Sequence, residues 1–197
     1  MLRMESATAG HTGHDHHELP TSGRALTAVS VSATLHCLTG CAIGEIAGMA
    51  IGTATGMSNG GTIALSIALA FLFGYSLTSL PLLRAGFALA AVVPIALASD
   101  TFSILTMEIV DNLVMVAIPG ALHAGLGDLL FWGSLSFALA IAFVFAVPVN
   151  GWLIARGKGH AAVHATGVHG GPSPVLVGAI TGAAFVFGAT VLLAELL

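Results

Sequence analysis

The sequence predicts an all-α, polytopic membrane protein of five transmembrane helices, and three observations carry that prediction. Of 197 residues only 7% are charged while 56% are hydrophobic. Mean hydropathy is +0.99, and several apolar runs reach or approach the roughly 20 residues that cross a bilayer core. Short alternating segments of the β-barrel kind do not occur in the chain. The net charge of −4 points to no class of partner, and no phosphate loop, nucleophile elbow or nucleic-acid-binding patch is present.

Residues 1–24 are polar and rich in His, Thr, Ser and Gly. They read as a disordered, His-rich cytoplasmic tail with no apolar core for a cleavable signal, ahead of one membrane domain over 25–197. The first membrane helix is expected from about Ala25 to Gly56. A Gly-rich turn at Met57–Gly61 leads to a second over about Thr62 to Leu80, with Pro81 and Arg84 marking the next turn. The third apolar stretch, Leu82 to Ile118, is long for one crossing at ~1.5 Å per residue. Pro94 inside it allows a kink, or a break into two short spans that would make six. A fourth helix is expected from about Asp128 to Val147, closed by Pro148-Val149-Asn150-Gly151. A His/Gly loop over 155–174 precedes the last helix, about Pro174 to Leu196.

Five spans with the N-terminus in the cytoplasm place Arg3, Arg24, Arg84, Arg156 and Lys158 together on the cytoplasmic side, and six would move the last two outside. The expectation is therefore a multi-pass protein of the cell membrane, N-terminus in and C-terminus out. Trp132 and Trp152 read as interfacial anchors, and His123 and Asp128 as a loop residue and a helix cap.

Cys37, Cys41 and Glu45 stand at four-residue steps within the first helix. An (i, i+4) disulfide fits regular helix geometry poorly, so both cysteines read as thiols. With Cys37 at 0°, Cys41 falls at about 40°, Glu45 at about 80° and Met49 at about 120°. Gly40, Gly44, Gly48, Gly52 and Gly56 are interleaved with them, a small-xxx-small ladder that lets another helix approach closely. Packing explains the glycines and could explain a cysteine. It does not explain Glu45, which at that depth must be protonated, paired or hydrated. His36, at about −100°, only borders the face.

The third helix carries a second polar stripe, with Asp100, Met107, Glu108, Asp111, Asn112 and Met115 within less than half its circumference. Rise per residue puts Asp100 level with Glu45. Glu108 and Asp111 then lie beyond the core unless the helix tilts or breaks. Thiols, carboxylates and thioethers in one membrane interior suit a soft or borderline ion, Cu(I) first and Zn(II) next. The expected metal ligands are Cys37, Cys41, Glu45, Asp100, Met107, Glu108 and Asp111, with His36 at the border of the face. The tail tract of His11, His14, His16 and His17, and the loop histidines His160, His164 and His169, could collect metal loosely on the cytoplasmic side.

The block His36-Cys37-x-x-Gly40-Cys41-x-x-Gly44-Glu45-x-x-Gly48, with Met107-Glu108-x-x-Asp111-Asn112, resembles the bacterial membrane proteins catalogued as domain of unknown function 4396. The resemblance covers roughly residues 30–155 and implies a compact helical membrane protein without implying an activity. From the residues themselves, the expectation is transport or handling of a transition-metal ion by a protein that is not an enzyme. A membrane oxidoreductase using bound metal, thiols, quinone or haem is the first alternative, and a structural or assembly subunit the second. The partners expected are the lipid bilayer, the metal ion, and a second copy of the chain through glycine-rich helix faces.

Overall fold

A computed structural model describes residues 20–164, 166 and 174–196. Within them the chain forms α1 (Gly23–Thr55), α2 (Asn59–Arg84), α3 (Leu89–Ala117), a 3-10 turn (Ala121–His123), α4 (Leu129–Ile154), the short α5 (Ala161–His164) and α6 (Pro174–Leu196). The helices α1 to α4 are each long and apolar enough to cross a membrane. The helix α6 runs antiparallel along α4: Gly133 meets Val191, and Gly188 meets Phe137. The chain is thus a polytopic helical membrane protein. The tail histidines His11, His14, His16 and His17, His169 and the side chain of His164 lie outside the described residues.

Three helix boundaries differ from those the sequence suggests. Pro81 does not end α2, which continues through it to Arg84, and Pro148 does not end α4, which continues to Ile154. In a membrane bundle, neighbouring helices and polar side chains satisfy the backbone groups that a proline frees, so proline is a weaker stop than in water. The third helix accordingly begins at Leu89 and is continuous to Ala117 with Pro94 inside. At 29 residues it is about 43 Å long, one continuous helix and not two short spans.

α1 ends at Gly56, whose left-handed φ of 65° turns the chain, and Met57 N–H closes the last turn on the Gly52 carbonyl at 2.9 Å. The Ser58 side chain then caps α2 by accepting from Gly61 N–H at 3.2 Å. The glycine ladder of α1 is packed inside the chain. Gly40 lies on Gly74, Gly44 on Ala70, Gly48 on Ser66 and Gly52 on Thr62 of the antiparallel α2. A Cβ at Gly40 would stand 2.5 Å from Gly74 Cα, so only glycine permits this backbone approach. Lipid is as apolar as the side chains, so such close packing, and not hydrophobic burial, holds the pair together.

α1 is the centre of the bundle. Its glycine face takes α2, and other faces take α3 and α4, with α6 outside against α4. Asn150 of α4 ties three helices together: its Nδ2 donates to Thr34 Oγ1 of α1 at 2.7 Å and to Ser103 Oγ of α3 at 2.9 Å. Because the helices alternate in direction, Arg24, Arg84, Arg156 and Lys158 all fall at the end where α1 begins, the basic end. None lies in a helix interior.

Candidate functional site

The seam between α1 and α3 collects the chemistry-bearing side chains. The two helices run parallel. Cys37 and Asp100, 63 residues apart, are in contact, and the same offset sets Glu45 beside Glu108. Glu45, Asp100, Glu108 and Asp111 are each 2% exposed or less, and Cys37, Cys41 and Met107 are as deeply buried. The facing stripes therefore carry the residues the sequence assigns to them, but in a different register. Asp100 is level with Cys37 and not with Glu45, while Glu108 and Asp111 sit in the interior and not past the core. The depth expected from sequence counts from an inner boundary near Ala85, whereas α3 starts at Leu89. Asp100 is then about 16 Å along its helix and no longer about 22 Å, and its contact with Cys37 fixes the register.

Toward the basic end, Cys37 Sγ lies 3.7 Å from Asp100 Oδ1. The same oxygen accepts from Ser99 Oγ at 2.9 Å and is 3.4 Å from His160 Nδ1. Asp100 Oδ2 is buried with no hydrogen-bond partner. Ser103 reaches the Cys37 thiol. Its oxygen is already accepting from Asn150, which leaves its own O–H to be offered to sulfur. His36 stands back from these groups. Its Nε2 pairs with Thr78 Oγ1 of α2 at 2.9 Å, and its ring lies 5.6 Å from that of His160.

Toward the opposite end, the Cys41 thiol lies against Glu108, which faces Glu45. Asn112 Nδ2 donates to the Glu108 carbonyl at 2.9 Å and makes long contacts of 3.5 Å with Glu45 Oε1 and Glu108 Oε2. Asp111 lies within electrostatic reach of Glu45, and neither of its carboxyl oxygens has a hydrogen-bond partner. Glu108 and Asn112 also border a groove of about 340 Å³ between α2 and α3, otherwise lined by apolar side chains such as Ile67 and Ile109. Met107 packs with both cysteines in one apolar cluster.

Three carboxyls in one low-dielectric pocket cannot all stand ionised without a counter-charge. The basic side chains are at the helix ends, so neutrality must come from protons or from a bound cation. Among the described residues no three His, Cys, Asp or Glu form a ready-made ion cage. What is assembled is a string of pairs: His160–Asp100, Asp100–Cys37, Cys41–Glu108 and Glu108–Glu45.

Two participants in the site escape sequence reasoning. Asn150 reads as part of a turn after Pro148, and only the continuation of α4 shows it to be a buried helix residue. His160 reads as one of several loop histidines, and its contact with Asp100 depends on how the loop folds back. Its one sequence signal is the Gly157-Lys158-Gly159 triplet just before it, a composition suited to a sharp turn.

No curated protein and no solved structure matches the chain. A family model does match, over residues 28–159, which takes in α2 to α4, most of α1 and the α1–α3 seam up to but not including His160. The chain belongs to that family, described as Domain of unknown function (DUF4396).

Proposed function

We propose that this protein carries or handles a transition-metal ion in the cell membrane, holding it between α1 and α3. One observation supports this above the others: each thiol of α1 faces a buried carboxyl of α3, and Asp100 and Asp111 keep oxygens that no hydrogen-bond donor reaches. Buried carboxylate without a donor is a costly arrangement that a cation relieves. Thiol and carboxyl together favour Cu(I) or Zn(II) over Mg(II) or Ca(II). The side-chain string covers about 16 Å of the seam, so it could pass an ion from pair to pair. By the positive-inside rule the basic end faces the cytoplasm, with the N-terminus there and the C-terminus outside.

The facing carboxyls Glu45 and Glu108 favour a second reading, in which the cluster holds protons and the protein serves an oxidoreductase as a proton relay. Elemental analysis of detergent-purified protein from metal-replete cells separates the two, run beside Cys37→Ser/Cys41→Ser and a form lacking residues 1–22. The carrier reading expects stoichiometric copper or zinc that survives loss of the tail and is lost with the thiols. Metal absent from the intact protein, or unchanged without the thiols, removes it.

A further inference from the structure

The Glu45–Glu108 end of the seam opens sideways. The groove of about 340 Å³ between α2 and α3 is walled by Ile67 of α2 and by Leu105, Ile109, Leu113 and Val116 of α3. Those α3 positions form a helical stripe about 16 Å long, and they are exposed, Leu113 to 66%. In a membrane they face lipid. Glu108 also borders the groove but is only 2% exposed, so it stands at the floor while the apolar side chains form the walls. An apolar cleft with a few polar groups is the usual build of a small-molecule site, and this one is at the lower end of the ~300–1,000 Å³ such sites span.

The floor is rich in acceptors and poor in donors. Glu108 Oε1 is buried with no hydrogen-bond partner. Asn112, the other polar residue of the groove, turns its amide nitrogen to the Glu108 carbonyl at 2.9 Å and, at 3.5 Å, to Glu108 Oε2 and Glu45 Oε1. What it has left to offer is its carbonyl oxygen. Glu45 and Asp111 add two more carboxyls within electrostatic reach of Glu108, and Arg24, Arg84, Arg156 and Lys158 are all at the basic end. A ligand that answers such a floor brings N–H donors and a positive charge. A quinone brings only acceptors and does not complement it.

We propose that this groove binds a lipophilic primary amine in its ammonium form, drawn sideways from the bilayer, with the ammonium on the Glu108 carboxylate and the apolar body along Ile109 and Leu113. The inference goes beyond the metal reading, since it uses Glu108 and neither cysteine. Lipid solvates the apolar body as well as the groove does, so the carboxylate supplies the affinity and the shape of the groove the selectivity. A phosphatidylethanolamine headgroup carries the same ammonium, but its phosphate would be repelled by Glu45 and Asp111. Glu108 also lies well inside the Ala117 end of α3, about 13 Å along the helix, deeper than a headgroup sits. The occupant is therefore a free amine.

Equilibrium dialysis of tritiated 4-phenylbutylamine against the purified full chain in phosphatidylcholine nanodiscs, with empty nanodiscs as the blank, tests this. Binding should saturate at a single amine per chain, and the neutral isostere 4-phenylbutanol should compete at least tenfold more weakly. Glu108→Gln should weaken binding at least tenfold. Ile109→Trp, which fills the groove from its lipid side and leaves the carboxyl in place, should do the same. Leu97→Trp, exposed on α3 outside the groove, should bind as the parent does. Circular-dichroism melts check that each variant keeps its fold. Unchanged binding in Glu108→Gln or Ile109→Trp, or equal competition by the alcohol, would overturn the proposal, as would the absence of saturable binding to the intact protein. Loss of binding in phosphatidylethanolamine nanodiscs would give the groove to the lipid headgroup and overturn the free amine. Metal content, which decides the carrier reading, enters none of these measurements.

Discussion

Glu45 and Glu108 face each other across the α1–α3 seam at the same 63-residue offset that sets Cys37 against Asp100. About two turns of parallel helix separate the two contacts, so the seam presents the same motif twice, an acid of α3 opposite a polar group of α1. The contact nearer the basic end adds a histidine. The other adds a further carboxyl, Asp111. In the proposed carrier, a graded donor set of this kind would let an ion meet softer ligands as it moves toward the basic end.

Glu108→Gln tests whether the carboxyl cluster holds a charge. The change is isosteric and removes one of three mutually repelling acids, so the metal-free fold should be as stable as the parent or more so. Ion binding should weaken, by about tenfold or more, because an amide oxygen is a poorer counter-charge for a cation. Thermal melts in detergent with and without Zn(II) read both effects. Equal Zn(II)-induced stabilisation in the parent and the variant would show that Glu108 takes no part in binding.

Much of the seam is legible in the residues alone, and what is not legible follows a pattern. Helical periodicity puts Cys37, Cys41 and Glu45 on one face and Asp100, Met107, Glu108 and Asp111 on another, because membrane burial makes any polar residue conspicuous. The register between those faces cannot be read the same way. It depends on where α3 starts, and the turn after Arg84 is set by α2 running through Pro81. Asn150 is hidden by the same overreading of proline. His160 is hidden because a loop fold-back leaves no periodicity to read.

The glycine ladder gives a prediction of a different kind. Gly44 lies on the backbone of Ala70, so Gly44→Leu has no side-chain rearrangement that makes room and must push α1 from α2. Overpacking typically costs about 1–3 kcal/mol, and backbone contact puts this site at the upper end. Gly182 on α6, with nothing within 4 Å of an added Cβ, is the control, and Gly182→Ala should change nothing. Unfolding of both variants by denaturing detergent, followed by circular dichroism, makes the comparison. Equal midpoints would mean that the α1–α2 contact is not what holds the bundle.

Asn150 offers the sharpest separation of scaffold from site. Its amide makes two buried hydrogen bonds, to Thr34 and Ser103. Interhelical hydrogen bonds in membranes average about 0.6 kcal/mol each, so Asn150→Ala should cost about 1 kcal/mol of stability and leave the protein folded. Its second effect is local. Ser103 loses the donor that fixes its oxygen, and its hydroxyl is then free to turn from Cys37 toward Thr34. If Ser103 helps hold a thiolate ligand, the variant should bind Co(II) more weakly, with its charge-transfer band reduced and its ligand-field bands in place. A Ser103→Ala variant should show the same spectrum, and the double variant no additional change in binding, because both act through one hydroxyl. Additive losses would mean that Asn150 reaches the site by another route.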